Sequence, residues 1–161
     1  MARVTAYPLA DTADLLETVS SGARSPFLLL LDQIVDPHNL GAIIRTALCA
    51  GIDGVIIPKD RSAYPTPAVS RISAGALEYM RVAQVNNMVR FAKTLKDQDV
   101  WIVGLDQNAG QPIYAADLTG AVGLVVGGTG VPHRPVGGGA RLAATGGRHR
   151  TTRGRNRATG P

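Results

Sequence analysis

Two polar residues with the chemistry to bind an anionic substrate stand six positions apart, shortly after an apolar run. Asn39 follows the turn Asp36-Pro37-His38, and Arg45 lies further along the helix predicted to start there. A guanidinium can hold a phosphate through two parallel hydrogen bonds, and helical side chains lean toward the helix N-terminus. Arg45 could therefore reach a ligand at the preceding loop. The spacing alone is at least as compatible with a helix-capping asparagine and a solvated arginine.

An alternation of strands and helices must position these residues. The apolar run at residues 27–31 predicts a strand covered on both faces, and Asn39 is the expected cap of the helix that follows. Further strands are predicted at 54–58, 81–85, 100–105 and 121–126, and further helices at 10–21, 68–77 and 88–95. Five strands alternating with helices predict an α/β protein with a parallel sheet, which binds ligands at the carboxyl ends of its strands.

A glycine-rich loop at residues 127–130 follows the last predicted strand. Such a loop can cradle phosphate, but no Lys-Ser or Lys-Thr pair follows it, and Val131-Pro132 is a poor helix start. No Gly-x-Gly-x-x-Gly pattern follows any predicted strand either. The sequence therefore disfavours a P-loop and a generic nucleotide-binding module.

The basic charge is confined to the C-terminal segment. Residues 1–130 contain ten Lys and Arg against twelve Asp and Glu, whereas residues 131–161 contain seven Arg and no acidic residue. The net charge of +5 thus does not by itself indicate that the folded part binds RNA. Residues 131–161 have no helical or strand period and are predicted to be irregular. Either an Arg/Gly-rich nucleic-acid-binding tail or out-of-frame translation of GC-rich DNA explains this composition, and we favour the second.

Length and composition limit the class of protein. The 161 residues suit one domain, and 45% hydrophobic with 18% charged residues suffices for a packed core. The longest apolar run, residues 27–31, is far shorter than the roughly 18 residues of a membrane span. The N-terminus lacks the apolar block of a secretory signal. The single cysteine, Cys49, cannot form an intrachain disulfide or a Cys-rich metal site, so we expect a cytoplasmic protein without a metal.

The segment from Leu31 to Ala47 resembles the first motif of the SpoU (TrmH-like) family of SPOUT trefoil-knot RNA 2′-O-methyltransferases. The resemblance covers roughly residues 26–130, and its further motifs are Pro-Lys-Asp-Arg-Ser at 58–62, Ser-Ala-Gly-Ala at 73–76, Trp-Ile-Val-Gly at 101–104 and Val-Val-Gly-Gly at 125–128. The motif at 58–62 is most similar to members that methylate a guanosine ribose in large-subunit rRNA.

The resemblance implies a homodimer that transfers a methyl group from S-adenosylmethionine to a ribose 2′-hydroxyl of rRNA or tRNA. Arg45 matches the family's catalytic arginine, which orients the target phosphate and hydroxyl, and Asn39 matches the partner that shapes this site. His38 is expected to be a loop residue without a role in proton transfer. The residues implied to contact the cofactor are Leu105, Val126, Gly127 and Gly128.

Two departures from the family pattern bear on activity. The family has a glutamate shortly after the glycine that Gly127 matches. Here either Thr129 stands in that region or a Glu-Gly pair has been lost before Thr129. The family's last motif, a Ser-Leu-Asn-x-Ser stretch that threads the knot, is absent, and the Arg/Gly-rich tail stands in its place. A frame change near residues 133–135 would explain the loss, because reading one nucleotide later permits an amphipathic helix.

These observations predict three segments. Residues 1–25 are a linker with a helix, residues 26–130 a methyltransferase domain with an incomplete knot, and residues 131–161 a disordered or frame-shifted basic tail. Met1 begins in what resembles the linker after a small RNA-binding domain, so the chain is expected to be a fragment at both ends. The alternative to an active methyltransferase is a catalytically inactive fragment that retains RNA binding through its tail.

Overall fold

The computed structural model describes residues 7–21, 25–105, 111–112, 118–127 and 141–144. The strands are β1 (Phe27–Asp32), β2 (Gly54–Pro58), β3 (Val82–Val85), β4 (Trp101–Leu105), β5 (Gln111–Pro112), β6 (Val122–Gly127) and β7 (Arg141–Ala144). They form one sheet in the order β3-β2-β1-β6-β4-β7-β5. The first five strands in this order are parallel, whereas β7 pairs antiparallel with β4 and β5. The predicted α/β class with five parallel strands is confirmed.

The helices of the described chain are α1 (Thr12–Ser20), α2 (Pro37–Cys49), α3 (Pro67–Ile72), α4 (Met88–Asp97) and a 3₁₀ turn (Ala76–Tyr79). Each α-helix begins after a residue whose side chain accepts a hydrogen bond from a backbone N–H of the first turn. Such caps satisfy donors that have no partner within the helix. Local sequence therefore sets the helix starts.

The cap of α2 is Asp36, so the prediction that Asn39 caps this helix was wrong. The Asp36 carboxylate accepts the N–H of His38 at 3.1 Å, and Pro37 takes the first helical position. Proline is favoured there because its ring fixes φ and it has no N–H to satisfy. Asn39 and His38 consequently lie inside the first turn of the helix.

The helix predicted at residues 68–77 is interrupted. α3 ends at Ile72, and Ala74 and Gly75 then take φ values of +54° and +83° before the 3₁₀ turn begins. The buried Ser73 joins the two pieces, because its hydroxyl donates to the Ser70 carbonyl at 2.9 Å and accepts the Leu77 N–H at 3.1 Å. Two successive left-handed residues cannot continue an α-helix.

Helices cover both faces of the sheet. Along β1, Leu28 and Leu30 face a cluster that includes α1 and α4, whereas Leu29 and Leu31 face a cluster that includes α2 and α3. All four leucines are at most 4% exposed. A strand buried on both faces must be apolar at every position, which explains the unbroken run in the sequence.

The residues before β1 belong to the folded core. Leu15 of α1 is 1% exposed, and the Ala10 N–H donates to the Val82 carbonyl at 2.8 Å, which ties the chain to β3. The hydroxyl of the half-buried Tyr7 lies 2.7 Å from the Leu77 carbonyl oxygen and 2.8 Å from that of Met80. Burial, together with the negative charge of Glu78, raises the pKa of this hydroxyl.

The C-terminal segment differs from its prediction in one place. Residues 131–161 were expected to contain no strand, yet Arg141–Ala144 forms β7 against β4. A free strand edge offers backbone hydrogen bonds that override a weak local preference. The other residues of this segment, and with them the implied knot, lie outside the described residues. Within the described ranges, no helix combines the length and apolar character needed to span a membrane.

Candidate functional site

The carboxyl ends of three central strands lie side by side. Val126 pairs with Leu31 of β1 across one edge of β6, and one step before it Val125 pairs with Gly104 of β4 across the other edge. Leu105, the last residue of β4, therefore ends beside Val126. The structure thus brings together Leu105, Val126 and Gly127, three of the four residues expected to contact a cofactor, and Gly128 lies outside the described residues.

Gly127 ends β6 in a conformation that favours glycine. Its φ is +124°, and a Cβ at this position would collide with the carbonyl oxygen of Asp32 and lie 2.9 Å from the Asp32 carbonyl carbon. These are backbone atoms, which cannot move aside without disturbing β1. The glycine therefore permits a close approach of the two strand ends and leaves the rim of the crevice without a side chain.

Asp32 is a buried carboxylate that sequence reasoning did not single out. It is the last residue of β1, is 5% exposed and pairs in register with Gly127. Buried charged groups are usually partnered, and Asp32 makes a polar interaction within the structure. The signal in the sequence was an acidic residue that directly ends an apolar run.

Asn39 and Arg45 lie on α2, and both side chains are exposed. They are six positions apart, which corresponds to about 9 Å along the helix axis and about 120° around it. They therefore occupy different faces of the helix rather than one cluster. Within the described chain the Arg45 guanidinium has no hydrogen bond or ion pair, so it is available to an external anion.

A close helix contact fixes the N-terminal half of α2. Leu40, Ile44 and Ala47 are buried against the sheet. A second contact of α2, through Gly41, is with α3. A Cβ on Gly41 would stand 2.6 Å from Cγ2 and 2.8 Å from Cβ of Ile72, closer than real contacts. The absence of a side chain at Gly41 lets the two helices meet, which sets the position of Asn39.

An open apolar groove of about 380 Å³ runs between α2 and the sheet. Its floor is formed by β1 and β6, and its wall by α2. Val126 lies at the end of the groove that is nearest to the strand ends. The lining residues are Phe27, Leu29, Ala42, Ile43, Thr46, Ala47, Ala50, Ile52, Leu124 and Val126. This surface can take an apolar group, and sequence reasoning did not predict it.

Charge differs between the carboxyl ends and the amino ends of the parallel strands. The segments after β1 and β2 carry the exposed cations Arg45, Lys59, Arg61 and Arg71, against Asp36, Asp60 and Glu78. At the amino ends of the strands an open groove of about 830 Å³ is lined by Asp14, Glu17 and Asp53, together with Arg81. A phosphate-bearing partner therefore fits the carboxyl ends of the strands better than their amino ends. No group of three or more potential metal ligands of the His, Cys, Asp and Glu types occurs in the described part of the chain.

Comparison with known proteins gives relatives of one kind. The chain is 45% identical over 115 residues to the 23S rRNA (guanosine-2'-O-)-methyltransferase RlmB of Photobacterium profundum, which covers 71% of this chain and 47% of that protein. It is 44% identical over 127 residues to the protein of the same name from Xylella fastidiosa, which covers 79% of this chain and 51% of that protein. The chain thus spans about half the length of these relatives.

Solved structures share the fold. The AdoMet-bound rRNA methyltransferase from Sinorhizobium meliloti is 28% identical, with a TM-score of 0.55 over 63% of this chain and 39% of that chain. The SpoU methyltransferase AviRb from Streptomyces viridochromogenes, in complex with AdoMet, has a TM-score of 0.58 over 64% of this chain and 41% of that chain. At 22% identity the second likeness concerns the fold alone. The model of the SpoU rRNA methylase family matches residues 26–134.

Proposed function

Because this chain belongs to the SpoU rRNA methylase family, we propose that it transfers a methyl group from S-adenosylmethionine to the ribose 2′-hydroxyl of a guanosine in large-subunit rRNA. The observation that carries the proposal is the family match across residues 26–134, which includes both Asn39 and Arg45. The substrate is supported by the relatives named 23S rRNA guanosine-2′-O-methyltransferases at 44–45% identity. We assign the methyltransferase domain to residues 26–130, the linker and first helix to 1–25 and a basic tail to 131–161.

The strand ends fit one side of the cofactor. Leu105 and Val126 are half-buried and adjacent, and such apolar side chains suit the face of an adenine ring. No side chain extends from the end of β6 at Gly127, so a ligand can approach the backbone there. The bound cofactor supplies an electrophilic methyl group on a sulfonium. In this proposal Leu105, Val126, Gly127 and Gly128 hold it.

Arg45 positions the acceptor. A ribose 2′-hydroxyl is a weak nucleophile that must lose its proton as the new bond forms, and in-line placement of its oxygen is mainly a positioning task. The contribution of a guanidinium is a fixed positive charge. That charge orients the neighbouring phosphate and favours loss of the hydroxyl proton. Asn39 lies about one and two-thirds turns earlier on a different face of α2, and the family resemblance assigns it to the acceptor site.

We extend the proposal to assembly and location. The family resemblance implies a homodimer, and the apolar groove beside α2 is a described surface that such a contact would cover. A cytoplasmic location follows from an rRNA substrate and agrees with the exposed, unpaired Cys49.

Methyl transfer tests the proposal directly. The chain is incubated with radiolabelled S-adenosylmethionine and, in separate reactions, a large-subunit rRNA transcript and a tRNA transcript. We expect label in the rRNA at the 2′-oxygen of a guanosine, and a loss of about 100-fold or more in Arg45→Ala. Arg90→Ala is the matched control, because Arg90 is equally exposed but lies on α4.

The outcomes separate the candidate functions. Label in tRNA alone would replace the rRNA substrate. No transfer by the wild-type chain to either RNA would overturn the proposal in favour of the inactive fragment. That fragment would show salt-dependent RNA binding that survives Arg45→Ala, and no cofactor binding by calorimetry.

A further inference from the structure

An exposed aromatic side chain stands on the loop that joins β2 to α3. Tyr64 is 40% exposed, although its neighbours Ala63 and Pro65 are both buried. No polar contact engages the Tyr64 hydroxyl within the described chain. A partly exposed tyrosine is ordinary by itself. Its surroundings decide whether the exposed part has a function.

The backbone around Tyr64 is anchored on both sides. Before it, the Ala63 N–H donates to the Ile34 carbonyl at 2.7 Å, which joins this loop to the loop after β1. After it, the Thr66 hydroxyl caps α3 by accepting the Val69 N–H at 3.4 Å. The aromatic ring thus projects from a fixed backbone, which reduces the entropy lost when a ligand binds to it.

The joined loops present a second exposed apolar residue. Val35 directly follows Ile34, just as Tyr64 directly follows Ala63, and Val35 is 64% exposed. Val35 comes two residues before the start of α2, and Arg45 lies about 12 Å further along that helix. Val35 and Tyr64 are thus exposed apolar residues on two loops that one backbone hydrogen bond joins.

Cations accompany Tyr64 on the same loop. Lys59 and Arg61 are exposed on either side of the exposed Asp60, which leaves an excess of one positive charge. Arg61 has a φ of +54°, which turns the chain sharply at that point. Single-stranded RNA is bound where aromatic rings stack on bases and nearby cations contact the phosphates. A protein partner would be expected to cover a larger apolar surface than these two residues offer.

Tyr79, a second exposed tyrosine among the described residues, provides a contrast. Tyr79 is 81% exposed but lines the groove with Asp14, Glu17 and Asp53, at the amino ends of the strands. Carboxylates there repel phosphate. Tyr64 therefore differs from Tyr79, because Tyr64 has cations beside it and lies at the carboxyl ends of the strands.

We infer that Tyr64 is a stacking platform for a base of the substrate RNA next to the target nucleotide, with Lys59 and Arg61 contacting the flanking phosphates. This inference rests on the proposed function for the identity of the substrate. Tyr64 sets affinity and the placement of the strand, while the acceptor chemistry belongs to Arg45.

Binding of a fluorescein-labelled single-stranded RNA of about 12 nucleotides, followed by anisotropy, tests the platform. We expect Tyr64→Ala to weaken binding about 5- to 100-fold. Tyr64→Phe should bind within about twofold of wild type, because its ring still stacks, whereas Tyr64→Leu should bind nearly as weakly as Tyr64→Ala. Tyr79→Ala is the matched control and should bind as wild type does.

Salt dependence separates the platform from the cations and the basic tail. The seven arginines of residues 131–161 add sequence-independent affinity that falls as salt rises. The ratio between wild type and Tyr64→Ala should persist from about 50 mM to about 200 mM salt, since no charge is removed. Lys59→Ala should instead lower the slope of log Kd against log salt by about one.

Several results would overturn the inference. They are unchanged binding in Tyr64→Ala, equal losses in Tyr64→Phe and Tyr64→Ala, full binding in Tyr64→Leu, or no RNA binding by the wild-type chain. Binding of an acidic peptide that depends on Tyr64 while RNA binding does not would assign the platform to a protein partner. The assay requires no methyl transfer, so a chain that binds RNA through Tyr64 but transfers no methyl group contradicts only the proposed function.

Discussion

The carbonyl oxygen of Asp32 occupies the space in which a Cβ of Gly127 would stand. The two residues are the last register pair between β1 and β6, so this contact sets how closely the central strand ends approach each other. The strand ends that are proposed to hold the cofactor meet at this pair. The segment that leads to α2 begins at the same place. The geometry of the site therefore depends on the absence of a side chain at Gly127.

Gly127→Ala should destabilise the protein by at least about 2 kcal/mol, because it combines a positive φ with a collision against backbone. The measurement is urea-induced unfolding. Gly120→Ala is the control, since Gly120 has a φ of +87° but no atom within 4 Å of its Cβ position. The control should lose only about 1 kcal/mol. Equal losses in the two variants would contradict a collision at Asp32.

Asp36→Ala and Asn39→Ala separate helix capping from chemistry. Asp36→Ala removes the cap of α2 and should lower the free energy of unfolding by about 1 kcal/mol. Asn39→Ala should change it by less than about 0.5 kcal/mol, because Asn39 is exposed and does not cap the helix. Asn39→Ala should nevertheless reduce methyl transfer. Full activity in Asn39→Ala rejects its assignment to the acceptor site.

Tyr7→Phe should lower the free energy of unfolding by about 1 kcal/mol at neutral pH, where the hydroxyl bonds the carbonyls of Leu77 and Met80. The pKa of Tyr7 is raised in the folded state, so folding favours the protonated phenol. The resulting stability is complete below the unfolded pKa of about 10 and is lost as pH rises through the folded pKa.

Unfolding of wild type and Tyr7→Phe should therefore be compared at neutral pH and above pH 10. The advantage of wild type should shrink at the higher pH, because only wild type loses a proton from residue 7. The two proteins differ only at residue 7, so the contributions of all other residues cancel in the comparison. A difference that stays constant across this range would show that the hydroxyl bonds do not depend on the protonation of Tyr7.

Ile43→Lys tests whether the groove beside α2 is the contact of the proposed homodimer. Ile43 lines the groove, and a charge there would be costly to bury against a partner. We expect wild type to sediment as a dimer and Ile43→Lys as a monomer. Val89→Lys is the control on α4, where Val89 is 46% exposed, and should remain dimeric. A monomeric wild type, or a dimeric Ile43→Lys, would rule out this contact.

Much of the fold could be read from local patterns. The apolar run at 27–31 became β1, and the helix predicted after Asn39 became α2, because burial on both faces or on one face leaves a distinct period. The predictions were wrong where neighbouring residues or strands decide the local structure. Asn39 has the right residue type for a cap, but Pro37 moved the helix start to Asp36. Arg141–Ala144 has no strand pattern and forms β7 because the edge of β4 is available to it.

The sequence by itself determined the α/β class, the motif that carries Asn39 and Arg45, and the strands predicted at 100–105 and 121–126, since residue type and spacing encode these locally. Only the tertiary structure decided that Leu105 and Val126 lie side by side, that Asp32 is buried against Gly127, and that Asn39 and Arg45 occupy different faces of α2. It alone joined the loops of Val35 and Tyr64. Strand order and loop pairing depend on contacts between residues far apart in the chain, and no local period records them.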